Sequence, residues 1–275
     1  MLNFASHELG DWRENNNSFD FTSAPPQTKS SAVKILADKI RLPQTAAEDA
    51  SIVVRRPRLF AHLEKSLAHF SATLLTGRTG TGKTALAAEF AERGLKNEDV
   101  ACVAWYKAET TDSDWKVFSS YFAESLQPCK TDFNQSKSNK NLAQIGGDQT
   151  VTDALAVQFA ALDAEKPLLI VLDDLHSVFD AEWFVEFFNA LLSLPAPNVR
   201  LLLLARSQPP FPLWRLRSKH ALDVLDEKLL AFTSDETVEF FQNYKLSQNA
   251  ARFAHKSAYG RIAKLKKIAE KKRSK

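Results

Sequence analysis

The chain has 275 residues, 44% hydrophobic and 25% charged, with a formal net charge of +3, the make-up of a globular protein of one large or two modest domains. No apolar run approaches a membrane span, and Met1–Gly10 lacks a basic region followed by an apolar stretch, so neither a spanning helix nor a secretory leader is read. Cys102 in an apolar run and Cys129 in a polar loop suggest neither a disulfide framework nor a metal site, which suits a reducing cytoplasm.

Residues 1–51 read as a loosely ordered segment, with Asn15-Asn16-Asn17, Pro25-Pro26 and a Ser/Thr/Gln/Lys stretch. Trp12 is a candidate docking residue there, and 32–40 a short helix. Arg58–Phe70 places Leu59, Leu63, Leu67 and Phe70 on one helical face. Ser71–Thr76 is a short buried strand, Thr84–Arg93 a helix, and Val100–Tyr106 a second strand. Asp114 is a plausible N-cap for a helix running to about Gln127. A polar insertion over 128–147 leads to a helix over 150–164. Pro167–Leu172 reads as a strand buried on both faces. Ala181–Leu194 is an aromatic helix whose Trp183, Phe184, Phe187 and Phe188 recur at core spacing, ended by Pro195 and Pro197. Val199–Ala205 is another buried strand, Ala221–Leu225 a weaker fifth, and everything from Ser234 is helical. Alternating β and α elements with apolar strands predict an α/β fold: a five-stranded parallel sheet covered on both faces, followed by a small helical segment. The expected division is 1–51, an α/β domain over 52–233, and a helical, lid-like segment over 234–275 with a basic tail.

Three glycines fall within six residues. Gly77-Arg78-Thr79-Gly80-Thr81-Gly82-Lys83-Thr84 fits G-x-x-x-x-G-K-[ST], the phosphate-binding loop, between a strand and a helix as that chemistry requires. Amides of residues 77–85, Ala85 included, would curl round phosphate oxygens at a helix N-terminus. A Cβ at the glycines would block the approach or forbid the backbone angles. Lys83 would neutralise the β/γ-phosphates of ATP or ADP, and the Thr84 hydroxyl would hold Mg²⁺.

Leu168–His176 supplies the second half of such a site. A run of apolar residues ending in Asp173-Asp174 is the Walker B pattern, which sets an acid at the carboxyl edge of the sheet. Asp173 would serve Mg²⁺ and Asp174 would orient the attacking water. Arg206, at the end of the Val199–Ala205 strand, could sense the γ-phosphate with its planar fork. His176 is read as supporting the turn after Asp174 rather than moving a proton.

Several blocks in order resemble one family, the MalT-type, LuxR-type ATP-dependent regulators. Val54-Arg55-Arg56-Pro57-Arg58-Leu59 is similar to their opening motif, and Gly82-Lys83-Thr84-Ala85-Leu86 with Glu89-Phe90 to their P-loop helix. Val103-Ala104-Trp105, the acidic-aromatic stretch 112–118, Val171-Leu172-Asp173-Asp174-Leu175-His176 and Leu203-Leu204-Ala205-Arg206-Ser207-Gln208-Pro209-Pro210 resemble later motifs. The resemblance covers about 52–270 and implies a STAND-type, ASCE-class NTPase. It places the Arg206 strand between those of the P-loop and Asp173. It implies a switch in which ADP holds a resting form, ATP permits self-association, and slow hydrolysis resets it. It also assigns Arg58 to the adenine end. The chain departs at Tyr259-Gly260-Arg261, where the family shows Gly-Trp, and the winged helix, sensor repeat and helix-turn-helix of the regulators do not follow within these residues.

The span 256–275 carries nine Lys or Arg and one acid, leaving the remainder of the chain at −5. A solvated helix end, non-specific nucleic-acid contact and an acidic partner protein all suit such a tail. No aromatic residue interleaves the lysines of 264–273, which argues against base stacking. The functional expectation is a cytoplasmic nucleotide switch with weak ATPase activity in signalling or transcription regulation. The alternatives are a non-enzymatic nucleotide-binding adaptor and a DNA-associated ATPase. A small-molecule kinase ranks below these, because the insertion shows no arginine cluster.

Overall fold

The computed structural model divides the chain into Met1–Ala32 and Val33–Lys275. It describes residues 36–44, 54–130, 150–162, 165 and 167–273, all in the second unit. Trp12 and most of the polar insertion lie outside the described residues. In chain order the elements are α1 (Ala37–Ile40), α2 (Pro57–His69), β1 (Ala72–Thr76), α3 (Lys83–Lys96), β2 (Cys102–Lys107), α4 (Trp115–Ser125), α5 (Val151–Ala160), β3 (Leu168–Asp173), α6 (Phe184–Ser193), β4 (Val199–Ala205), α7 (Leu213–Ser218), β5 (Leu222–Leu225), α8 (Glu227–Leu230), α9 (Ser234–Asn243), α10 (Gln248–Ala258) and α11 (Ile262–Arg273).

The five strands are all parallel, in the order β2-β3-β4-β1-β5. The apolar runs at the centre of β3 and β4 follow from burial on both faces, since alternate residues point to opposite sides. Ile170, Leu172, Leu201 and Leu203 pack toward Phe118 of α4 and Phe187 and Phe188 of α6. Leu169, Val171, Leu202 and Leu204 pack toward Leu63 of α2 and Leu86 and Ala87 of α3. As expected, Phe184, Phe187 and Phe188 are fully buried. Trp183 is half-buried, 4.5 Å from the Phe118 ring, and donates through Nε1 to the Ser113 carbonyl at 2.7 Å. Truncating one such buried ring to Ala costs about 3–5 kcal/mol. The Asp114 cap is also present, its carboxylate accepting from Lys116 N at 2.7 Å.

β5 is the short strand at the open side of β1. Its weak pattern has a local cause: Asp223 sits mid-strand, buried, and is matched there by His62 and Arg217, each at 3.2 Å. The opposite margin of the sheet is set by Asp112, fully buried, which accepts from Lys39 of α1 at 2.7 Å and from the Tyr106 hydroxyl at 2.9 Å.

One expectation needs correction. Cys102 and Cys129 form a disulfide, with their Cα atoms 5.5 Å apart. Cys129 is not in a polar loop. It lies in a 3₁₀ turn, Gln127–Cys129, that folds back from α4 against the start of β2 and is buried. Only that tertiary return brings the two sulfurs together.

The last three helices have a core of their own, built from Phe240, Phe241, Tyr244, Ala251, Ala254, Leu265 and Ala269, with Phe232 and Val54 added from the α/β part. Gly260 makes their final turn possible. It has φ +69°, and a Cβ there would stand 2.4 Å from the Phe232 carbonyl oxygen, closer than any side chain tolerates. That turn aims the start of α11 at the loop between β1 and α3.

Candidate functional site

The site forms at the carboxyl edge of the sheet. The register pairs Thr76 with Ala205, so β1 delivers Gly77 and β4 delivers Arg206 side by side. β3 ends one strand further on with Asp173. Gly82, in a left-handed conformation, opens α3, whose first residues are Lys83 and Thr84. Strand, loop and helix follow in the order read from the sequence.

Lys83 is buried and its ammonium donates to the Gly77 and Arg78 carbonyls, with Thr81 Oγ1 at 3.4 Å. Burial lowers its pKa, against the pull of Asp174 and Asp173. The Thr84 hydroxyl donates to Asp173 at 3.0 Å. Asp173 is 2% exposed and also accepts from the Asp174 amide at 2.8 Å. Burial, with Asp174 beside it, raises the Asp173 pKa, opposed by the Thr84 hydrogen bond. A buried carboxylate whose charge is disfavoured, next to a hydroxyl oxygen, suits a small hard cation that takes oxygen ligands and keeps waters. Among the described residues no group of three or more His, Cys, Asp or Glu could hold a metal, so Mg²⁺ would be held by Thr84 and Asp173 together with phosphate oxygens.

Asp174 adopts a left-handed conformation, φ 51°. Its Oδ1 lies 3.4 Å from Arg206 Nε and 3.7 Å from His176 Nδ1. The two residues assigned to water and γ-phosphate therefore touch each other. Burial lowers the His176 pKa, and Arg206 and Lys83 push the same way. Asp174 opposes that shift, and the buried Nδ1 of His176 makes no hydrogen bond among the described residues.

Residues 77–82 form the loop and 83–85 the first turn of α3, with Arg78, Thr79, Thr84 and Ala85 exposed. Arg58 is elsewhere. Its guanidinium is a clamp on the helical segment, bonding Glu236 at 2.8 and 3.0 Å, the Leu229 carbonyl at 2.7 Å and the Ala231 carbonyl at 2.6 Å. No bond from Arg58 reaches the loop among the described residues. The arginine that does stand beside it is Arg56, buried over the Phe232 ring, with Nη2 3.7 Å from where a Gly82 Cβ would be.

Three further residues act on the loop. Glu227, at the start of α8, accepts from Arg78 Nη2 at 2.9 Å and from the Arg78 amide at 3.3 Å, which holds its carboxyl below the usual range. Arg261 donates to the Thr79 carbonyl at 3.1 Å and lies 3.6 Å from Glu227. The Ala263 amide, in the first turn of α11, donates to the Gly80 carbonyl at 3.2 Å. The helical segment thus rests on the phosphate-binding loop itself. An acid just beyond the fifth strand was the one sequence signal for Glu227. Arg261 was visible only as part of a departure from the family pattern.

The AAA ATPase domain family matches residues 53–204, more than half of the chain. The chain belongs to that family. This AAA ATPase domain is 30% identical over 189 residues to the HTH-type transcriptional regulator MalT of Serratia proteamaculans, and 27% identical over 187 residues to MalT of Vibrio campbellii. Each alignment covers 68% of this chain but 20% of the regulator, so the chain spans about one fifth of the length of these relatives. Among solved structures, the Walker-type ATPase of Pyrococcus abyssi superposes with a TM-score of 0.50 at 16% identity, covering 84% of this chain and 73% of that one. That likeness is one of fold, an α/β P-loop architecture. The resemblance to MalT-type regulators read from the ordered motifs is borne out, as is the five-stranded parallel sheet. Among the described residues no helix is long and apolar enough to cross a membrane.

Proposed function

We propose that this ATP-binding P-loop domain is a STAND-type nucleotide switch, acting in signal transduction or transcription regulation, with slow Mg²⁺-dependent ATP hydrolysis. The observation that carries the reading is the meeting of Thr84 with Asp173 and of Arg206 with Asp174 at one edge of the sheet. Lys83 and the amides of 77–85 would bind the phosphates, and Thr84 and Asp173 would hold Mg²⁺. When bound, that ion supplies charge neutralisation across the β- and γ-phosphates. Arg206 would leave Asp174 for the γ-phosphate, and the freed carboxylate would accept a hydrogen bond from the attacking water. The helices over 234–273 would act as a lid, because Arg261 and Ala263 bond the loop that takes the phosphates. ATP-dependent self-association would be the output, and the basic tail suits a second partner, nucleic-acid phosphates.

Phosphate release with Mg·ATP tests this, comparing the wild type with Lys83→Ala and Asp174→Asn. Loss of turnover in both variants is expected. Equal, slow release by all three proteins removes hydrolysis from the function. The Arg206–Asp174 contact also favours a second reading, a non-enzymatic adaptor whose water-orienting acid stays occupied. Tight nucleotide binding with no turnover, and no size change between ADP and ATP by light scattering, selects it.

A further inference from the structure

Beside the phosphate-binding loop lies a separate cleft of about 490 Å³. Its walls carry Arg78, Lys228, Arg261 and Lys264 with one acid, Glu227, which Arg78 and Arg261 already pair, and the Tyr259 ring; none of Lys83, Thr84, Asp173, Asp174 or Arg206 lines it. It opens beside the loop and shares only Arg78 with the residues 77–85 assigned to the phosphates. Tyr259 is left-handed, φ 52°, and 80% exposed, so the turn before α11 holds an aromatic ring out into solvent at the cleft.

Lys264, on the cleft's wall, begins a row of lysines along α11. Leu265 and Ala269 face the core, while Lys264, Lys267 and Lys271 recur at i, i+3 and i+7, which puts them on one exposed face. At 1.5 Å rise per residue that stripe is roughly 10 Å long. Lys266 is turned aside, 3.9 Å from Glu270. Lys228, Lys264, Lys267 and Lys271 make no ion pair among the described residues. Single cations on a convex helix attract any polyanion. A cleft that leads into a lysine stripe beside an exposed ring is more selective, because it offers phosphate contacts and a stacking face together. The linear sequence puts no aromatic among these lysines, but the Gly260 turn supplies one at their head.

We propose that this cleft and stripe bind single-stranded nucleic acid, its phosphates on Lys228, Lys264, Lys267 and Lys271 and a base on Tyr259. The inference rests on the nucleic-acid contact proposed above for the basic tail and goes further in naming where it is made and with which strand form.

The test uses the full chain and fluorescence anisotropy with labelled single-stranded and duplex DNA oligonucleotides of equal length, across a salt series. The variants are Tyr259→Ala, Lys266→Ala, and the triple Lys264→Ala/Lys267→Ala/Lys271→Ala, with ADP binding checked in each. The triple variant is expected to lower the slope of log K against log salt for single strands by about 2, at about 0.7 for each phosphate no longer neutralised. Tyr259→Ala should weaken single-strand binding by about 5- to 150-fold and leave duplex binding unchanged. Lys266→Ala should do neither, and ADP affinity should hold throughout. If single strands bind but the triple variant and Tyr259→Ala behave as wild type, the assigned surface is wrong while a less specific tail contact survives. If no oligonucleotide binds at low salt, both fall. If polyglutamate of equal charge displaces the strand as well as unlabelled DNA does, the surface serves an acidic partner instead.

Discussion

Gly80 is the point at which the helical segment bears most closely on the phosphate-binding loop, and Gly80→Ala should show it. The residue has φ +80°, and an added Cβ would stand 2.6 Å from the Ala263 Cβ. The backbone contribution is about 1–2 kcal/mol for a side chain in the left-handed region. Forcing a methyl against a seated helix adds about 1–3 kcal/mol. The whole cost is then about 2–5 kcal/mol, a large share of the 5–15 kcal/mol that holds an ordinary domain together. Only the second part depends on α11 lying where it does. Ala263→Gly removes the opposing methyl at a cost of up to about 1 kcal/mol of helix propensity. In a double-mutant cycle it should therefore recover about 1–3 kcal/mol of the Gly80→Ala loss and leave the backbone part behind. Urea unfolding of the four proteins, without added nucleotide, measures the cycle. If Gly80→Ala costs the same in both backgrounds to within about 0.5 kcal/mol, α11 does not rest on the loop in solution, and the lid proposal loses its footing.

Two further outcomes follow from the same contacts. Because burial raises the pKa of Asp173 and lowers that of Lys83, Mg·nucleotide binding should release a proton at the acid end and take one up at the alkaline end. Affinity should rise with pH until Asp173 is ionised in the free protein, then fall as pH passes the lowered Lys83 value. Isothermal titration in buffers of different ionisation heat reads both signs, and reversal of either contradicts the assignment. The Cys102–Cys129 bond closes a separation of 27 residues, for which chain entropy gives about 3.5 kcal/mol. Dithiothreitol should lower the urea midpoint accordingly, and an unmoved midpoint shows the bond is not formed in solution.

What could be read in advance divides by the range of the interaction that encodes it. β1, β3 and β4 announced themselves because burial on both faces makes their central residues apolar on both sides, and the loop because glycine spacing is a local requirement. β5 was faint because Asp223, buried mid-strand against His62 and Arg217, breaks the apolar run. The cysteine pair was missed since nothing near Cys129 in the sequence reports its burial, which depends on a turn folding back onto β2. Glu227 and Arg261 are single charges in charged surroundings, and only the Gly260 turn carries Arg261 to the loop and to Glu227. The adenine-end role of Arg58 rests on resemblance alone; what the structure adds is that its fork bonds Glu236 and two carbonyls, long-range contacts that no local pattern reports.

The groups that phosphate chemistry needs already have protein partners in this chain. Lys83 holds loop carbonyls, Thr84 holds Asp173, Asp174 meets Arg206, and Arg78 and Arg261 share Glu227. A nucleotide arriving here exchanges bonds more than it adds them, so most of its contacts contribute similarly whether it is ADP or ATP. Discrimination then falls on the exchange that needs a γ-phosphate, the proposed passage of Arg206 off Asp174. A hydrogen bond to a charged group is worth about 1.5–3 kcal/mol, which shifts a two-state balance by about 10- to 150-fold. Driving a switch from 1:99 to 99:1 takes about 5.5 kcal/mol. Arg206 by itself falls short, and the remainder has to come from another contact that differs between the two states. The seat of α11 on Thr79 and Gly80 is the contact best placed to supply it, since any movement of the loop carbonyls toward or away from phosphate is felt there directly.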